Sequence, residues 1–168
     1  LLTDAAEEVV ADPNVQLVVE LTGAAPAFDW VSEALKRGKD VVTANKALVA
    51  HHGTALAHGA EAAGVSFSYE AAVAGGIPII KSLREGLAGN GLSRVYGILN
   101  GTCNYILSAM TDQGREFEDI LKECQELGYA EADPSFDIDG IDTAHKLAIL
   151  ASVAFGGEVN FDAVHIEG

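Results

Sequence analysis

Hydrophobic and polar positions fall into two textures along the chain. In the first, Val15-Gln16-Leu17-Val18-Val19-Glu20-Leu21 is a β-branched apolar run and predicts a strand buried on both faces. A helix-like stretch opening at Leu1 and an Asp12-Pro13-Asn14 turn precede it. Thr22-Gly23 ends the run, and Pro26 stands where the first turn of a helix accepts proline. Phe28, Val31 and Leu35 recur at helical spacing until Gly38 closes the helix. Val41-Val42-Thr43 reads as the next strand. Residues 54–63 read as a helix stopped by Gly64, and residues 65–73 as a third strand. Strand, helix, strand, helix, strand predicts an α/β fold with a mostly parallel sheet under helices.

The second texture starts near residues 73–76, where Ala74-Gly75-Gly76 makes a bend. Pro78 opens a helix with Ile79, Ile80, Leu83 and Leu87 on its apolar side, and residues 92–99 look like a strand. Phe117, Ile120, Leu121, Cys124 and Leu127 mark an amphipathic helix closed by Gly128. From Asp142 to about Phe155 the chain is helical and apolar nearly all round, the pattern of a buried helix. The change of texture divides the chain into residues 1–73 and 74–168.

Composition narrows the classes. The 168 residues include 25 acidic and 10 basic side chains, for a net charge of −15, and 49% are apolar. That is enough apolar material for a core. The acidity argues against a nucleic-acid surface, which needs clustered Lys and Arg. No apolar run approaches membrane-spanning length, and no basic segment precedes an apolar one at the start, so neither a membrane partner nor a signal peptide is expected. Two cysteines suit a reducing cytoplasm. With no initiator Met, and with residues 159–168 looking like the start of an element, the chain reads as an internal piece of a longer protein.

The chemistry-bearing positions start from what is missing. No G-x-G-x-x-G, P-loop or G-x-S-x-G motif is present, so a dinucleotide-binding glycine turn is expected upstream of Leu1. The acidic segment 131–142 aligns loosely with a calcium loop, but Lys146 stands where a bidentate Glu is needed. Asp142 and Lys146 are four apart and share a helix face. They read either as an active-site pair or as a solvated ion pair contributing about 0.3–0.5 kcal/mol. Thr43-Ala44-Asn45-Lys46 follows a strand's carboxyl end, where open α/β sheets bind ligands; Lys46 is either a site lysine or an ordinary surface one. Glu70, read inside the third strand, either helps to bind a hard cation or accepts nearby backbone N–H groups. Cys103, near a helix start, is either a nucleophile or a half-buried structural thiol.

Together these segments resemble homoserine dehydrogenase. The likeness rests on Val41-Val42-Thr43-Ala44-Asn45-Lys46, Tyr69-Glu70-Ala71-Ala72-Val73-Ala74-Gly75-Gly76-Ile77-Pro78 and Gly97-Ile98-Leu99-Asn100-Gly101-Thr102-Cys103-Asn104-Tyr105. It rests equally on Gly128-Tyr129-Ala130-Glu131-Ala132-Asp133-Pro134 and Asp137-Ile138-Asp139-Gly140-Ile141-Asp142-Thr143-Ala144-His145-Lys146-Leu147. The blocks stand in that family's order and cover almost the whole chain.

The resemblance implies an enzyme that interconverts L-homoserine and L-aspartate 4-semialdehyde with NAD or NADP, on the route to threonine, methionine and isoleucine. It implies a partial Rossmann-like nucleotide-binding domain followed by an α+β catalytic and dimerisation domain, a homodimer and a cytoplasmic location. By position, Lys146 resembles the catalytic lysine and Lys46 a second active-site lysine near the cofactor. Glu131 and Asp142 resemble carboxylates that hold substrate, with Asp137 in support. Thr22 resembles a cofactor-contacting residue. Glu70, with the carbonyls of Val73, Gly75 and Ile77, resembles a monovalent-cation site, usually sodium. The resemblance also makes a nucleophilic Cys103 unnecessary, and the isolated fragment is expected to be inactive. Two rival readings remain: a thiol-dependent semialdehyde dehydrogenase using Cys103, and a non-catalytic module that binds an amino acid.

Overall fold

The computed structural model describes residues 2–168. Leu1, where the first helical reading opens, lies outside the described residues. Three parallel strands, β1 (Leu17–Glu20), β2 (Asp40–Thr43) and β3 (Phe67–Ser68), pair in the order β1-β2-β3, with Val18 opposite Val41 and Val41 opposite Phe67. Helix α1 (Ala6–Ala11) leads into β1; α2 (Ala27–Lys36) and α3 (Lys46–Ala63) are the crossovers. Then come α4 (Ile79–Lys81), continued by a π turn over Ser82–Gly86, α5 (Gly101–Gln113), α6 (Phe117–Glu126), α7 (Ser135–Ile138) and α8 (Ile141–Phe155).

Two apolar clusters form the core. The larger joins Val31 and Leu35 of α2, Val41 of β2, Val49 and Leu56 of α3, and Ile149 and Leu150 of α8. Helix α8 therefore packs on α3 and belongs to the sheet layer as much as to the helices around it. The smaller cluster joins Ile106, Ala109, Ile120 and Cys124 between α5 and α6.

Four expectations change. Among the described residues strand β1 is buried on one face only: Val18 and Glu20 pack inward, whereas Leu17 and Val19, on the other face, are 50% and 54% exposed because no described element covers them. The third strand is shorter than residues 65–73; Glu70–Ala72 forms a 3₁₀ turn, so Glu70 lies beyond the sheet. Helix α3 starts at Lys46, not near residue 54, because Asn45 caps it by accepting the Leu48 N–H at 3.0 Å. Residues 92–99 form no strand. A strand needs a hydrogen-bonding neighbour, and none lies beside this segment among the described residues.

Candidate functional site

The site forms where the N-terminus of α3 meets the N-terminus of α8. The Asn45 cap turns the chain so that Lys46 is the first residue of α3. Gly140, at φ +77, turns the chain into α8; a Cβ there would sit 3.1 Å from Ile166 Cγ2 and 3.3 Å from the Glu167 carbonyl oxygen. One turn into α8, Asp142 and Lys146 share a face, as their spacing predicts.

Asp142 is the centre. Its Oδ2 accepts from Lys146 Nζ at 2.6 Å and from Asn100 Nδ2 at 3.0 Å, and its Oδ1 lies 3.1 Å from Lys46 Nζ. The Asp142 side chain is 5% exposed, against 19% for Lys146 and 34% for Lys46. The solvated-pair reading therefore fails for Asp142 and Lys146, whose carboxylate is buried. Burial alone would push the Asp142 pKa up. The hydrogen bonds from Lys146, Asn100 and Lys46 together outweigh it and hold the carboxyl below its ordinary range. Lys146 Nζ also donates to the Leu99 carbonyl at 2.8 Å. One of its three N–H groups thus lacks an internal acceptor among the described residues. Lys46 Nζ also stands 5.5 Å from the centroid of the Phe136 ring.

Asn100 ties the cluster to α5. Its Oδ1 accepts the Cys103 N–H at 2.8 Å, and its amide donates to Asp137 Oδ1 at 2.7 Å as well as to Asp142. Thr102 Oγ1 lies 2.9 Å from the Tyr129 carbonyl oxygen and 3.3 Å from Asp137 Oδ2. Sequence reasoning did not single out Asn100 or Phe136. An N-cap signal was present at Asn100, but nothing local shows that its amide reaches two aspartates further along the chain.

Thr22 and Lys46 line one cleft of about 280 Å³ with Leu21, Gly23, Asn45 and Phe136, at the carboxyl ends of β1 and β2. The Thr22 turn is shaped by buried Glu20, also missed from sequence. Glu20 Oε1 accepts the Thr22 N–H and Oγ1–H, both at 2.8 Å, and the Gly23 N–H at 3.2 Å; Oε2 accepts Thr43 Oγ1–H at 2.6 Å. Burial raises the Glu20 pKa, and these donors more than reverse it.

The other candidates stand apart. Glu131 is exposed, and among the described residues its carboxylate makes no hydrogen bond to the Asp142 cluster. Glu70 accepts the N–H groups of Ile80 at 2.8 Å and Lys81 at 2.9 Å, so its carboxylate caps the α4 turn. The Val73 and Gly75 carbonyls accept no backbone N–H among the described residues, whereas Ile77 accepts from Ile79 at 2.8 Å. Ala74 between them is held at φ +52, which a non-glycine residue rarely adopts. Cys103 is half-buried in the first turn of α5, the arrangement of the structural-thiol alternative. Burial, then Asp137 and Asp142, push its thiol pKa up, and its Sγ lies 3.3 Å from the Asp137 carbonyl oxygen.

Comparison with known proteins bears on both parts of the chain. A family profile described as homoserine dehydrogenase, NAD binding domain, matches residues 1–70, and one described as homoserine dehydrogenase matches residues 78–168. The Pseudomonas aeruginosa homoserine dehydrogenase is 54% identical over 96% of this chain and 37% of its own length. That of Synechocystis is 50% identical over the whole chain and 39% of its own length. The chain thus spans about two-fifths of the length of these curated relatives. A crystal structure of the Thiobacillus denitrificans homoserine dehydrogenase superposes with a TM-score of 0.96 at 55% identity, covering 99% of this chain and 39% of that one. A hyperthermophilic archaeal homoserine dehydrogenase in complex with NADPH superposes at 0.87 with 30% identity, covering 98% and 53%. The fold, an α/β layer with a parallel sheet followed by helices, and both profiles agree: this chain belongs to the homoserine dehydrogenase family.

Proposed function

We propose that the protein carrying this chain interconverts L-homoserine and L-aspartate 4-semialdehyde with NAD or NADP, and that Lys146 is its general acid and base. One observation carries the reading: lysines from two separate helices converge on one buried carboxylate, Asp142, beside a cleft at the sheet's carboxyl edge. That edge is where open α/β sheets take nucleotides, and the uncharged turn at Thr22-Gly23 beside Lys46 fits an anionic dinucleotide. When bound, the nicotinamide would supply the redox partner for the substrate carbon.

The chain's own residues do the rest. In the oxidative direction Lys146 Nζ, as the free amine, takes the hydroxyl proton of homoserine; in the reductive direction its ammonium form gives a proton to the aldehyde oxygen, a role typically worth about 10²- to 10⁴-fold. Asp142 fixes that ammonium group through the 2.6 Å bond and keeps Lys46 within the same cluster. Asp142, Asp137, Lys46 and Lys146 sum to zero charge, and Glu131 adds one negative charge for the ammonium group of an amino acid. Glu131, exposed and apart from the cluster in this structure, meets the substrate ammonium group, and Asp137 steadies Asn100. Thr22 contacts the cofactor.

The same proposal places a monovalent cation, sodium by preference, at Glu70 and the carbonyls of Val73, Gly75 and Ile77. The uncommitted Val73 and Gly75 carbonyls and the left-handed Ala74 support it. Each Glu70 oxygen keeps a lone pair after its one N–H bond. Residues 1–73 then serve the nucleotide and residues 74–168 the substrate and a homodimer contact, in a cytoplasmic enzyme acting on small molecules, with no nucleic-acid or membrane partner.

The test is homoserine-dependent reduction of NAD⁺ and NADP⁺ by the full-length protein containing this chain. Turnover with either cofactor is expected. A folded protein that turns over neither would end the assignment.

A further inference from the structure

Helices α3 and α8 are joined twice. Lys46 meets Asp142 at their N-termini, and further along each helix His51 Nε2 lies 3.1 Å from His145 Nε2. Phe161 packs on both imidazole rings, with centroids 4.7 Å away in each case, and Phe136 packs on His145 at 5.5 Å. His145 is only 3% exposed and immediately precedes Lys146, whereas His51 keeps a solvent-exposed side.

Two Nε2 atoms at this distance share one proton, so one ring donates and the other accepts. The Nδ1 of His145 is buried and has no partner among the described residues. A buried orphan N–H is rarer and costlier than a bare acceptor. His145 therefore carries its proton on Nε2 and donates to His51.

We propose that the His51–His145 hydrogen bond is a clasp that positions Lys46 against Asp142, and that it holds only while His51 is uncharged. The proposal deepens the dehydrogenase reading and rests on it. A proton on His51 Nε2 would face the His145 N–H. His145 could yield only by moving its own proton to Nδ1, where no acceptor waits. The groups facing the pair are few. Lys46 on α3 and Asp142 on α8 act on His145, and His52 lies beside His51 with ring centroids 6.4 Å apart. Helix α7 and the Phe161–Ala163 turn present uncharged Phe136 and Phe161. Burial first, then His51 and Lys46, hold the His145 pKa below its ordinary value.

The experiment follows semialdehyde reduction by the full-length protein from pH 8 to 5.5, with ligand-free melting alongside. In this direction a lysine acid works protonated, so loss of rate on the acid side cannot come from Lys146. The wild type is expected to lose kcat on the acid side of this range. His51→Gln, whose amide oxygen accepts but does not titrate there, is expected to match the wild type at pH 8 and to stay level below it. His51→Leu is expected to lose kcat about tenfold or more at every pH through misplacement of Lys46. His51→Leu within twofold of the wild type at pH 8, or His51→Gln with the wild-type acid fall, would overturn the clasp. If the wild type has no turnover at any pH, the dehydrogenase reading fails separately. Melting then decides: the clasp predicts a wild-type midpoint that drops on acidification more than that of His51→Gln, and equal drops refute it.

Discussion

Two buried carboxylates lie behind the same cleft, each bonded to a residue that lines it, and are held in opposite ways. Glu20, at the carboxyl end of β1, takes all its hydrogen bonds from uncharged donors of Thr22, Gly23 and Thr43. Asp142, at the start of α8, is held mainly by two ammonium groups that each keep some exposure. The first arrangement is uncharged: its donors are N–H and O–H groups, and it fixes a turn. The second is charged: Lys46 lines the cleft, Lys146 keeps some exposure, and both carry amino groups that can exchange protons. Burial and a lowered pKa are common to both and so do not mark a working residue. The chemical nature of the partners does.

The contrast breaks first at Lys146. Lys146→Ala should lower kcat about 10²- to 10⁴-fold in steady-state assays, and lower the melting temperature as well, because buried Asp142 loses a charged partner. Glu20→Gln should lower melting alone. Its NH₂ group would face donors that need an acceptor, costing about 1–3 kcal/mol. That lowers the melting midpoint by roughly 2–4 °C per kcal/mol, with kcat within about threefold. Acid should act on both carboxylates together. Folding depresses both pKa values, so each contributes stability above its ordinary range, 4.5 for Glu20 and 3.8 for Asp142. That stability is lost as the pH falls through the folded values, so ligand-free melting should drop below about pH 4.5. Glu20→Gln should blunt the drop. The smallest effect belongs to Cys103→Ser, which should leave kcat within about twofold; abolished activity would revive the thiol reading.

Only the locally determined half of this contrast was legible in the sequence. The β-branched Val41-Val42-Thr43 run fixed a parallel strand, and the four-residue spacing fixed the Asp142–Lys146 pair, because both depend on local periodicity. The meeting of Lys46 with Asp142 depends on how α3 packs on α8, which no local pattern encodes. Glu20 and Asn100 stayed hidden for a related reason. Each looks ordinary in its own element and acquires its role from donors or carboxylates brought by other elements. The apolar pattern of residues 92–99 fits a strand, yet pattern alone cannot supply a neighbour to pair with.

The most direct test compares Asp142→Asn with Glu20→Gln in one homoserine oxidation assay on the full-length protein, each checked for folding by melting. The account predicts that Asp142→Asn loses kcat by about 100-fold or more while Glu20→Gln retains it within about threefold. Equal losses in the two variants, or an active Asp142→Asn, would contradict it.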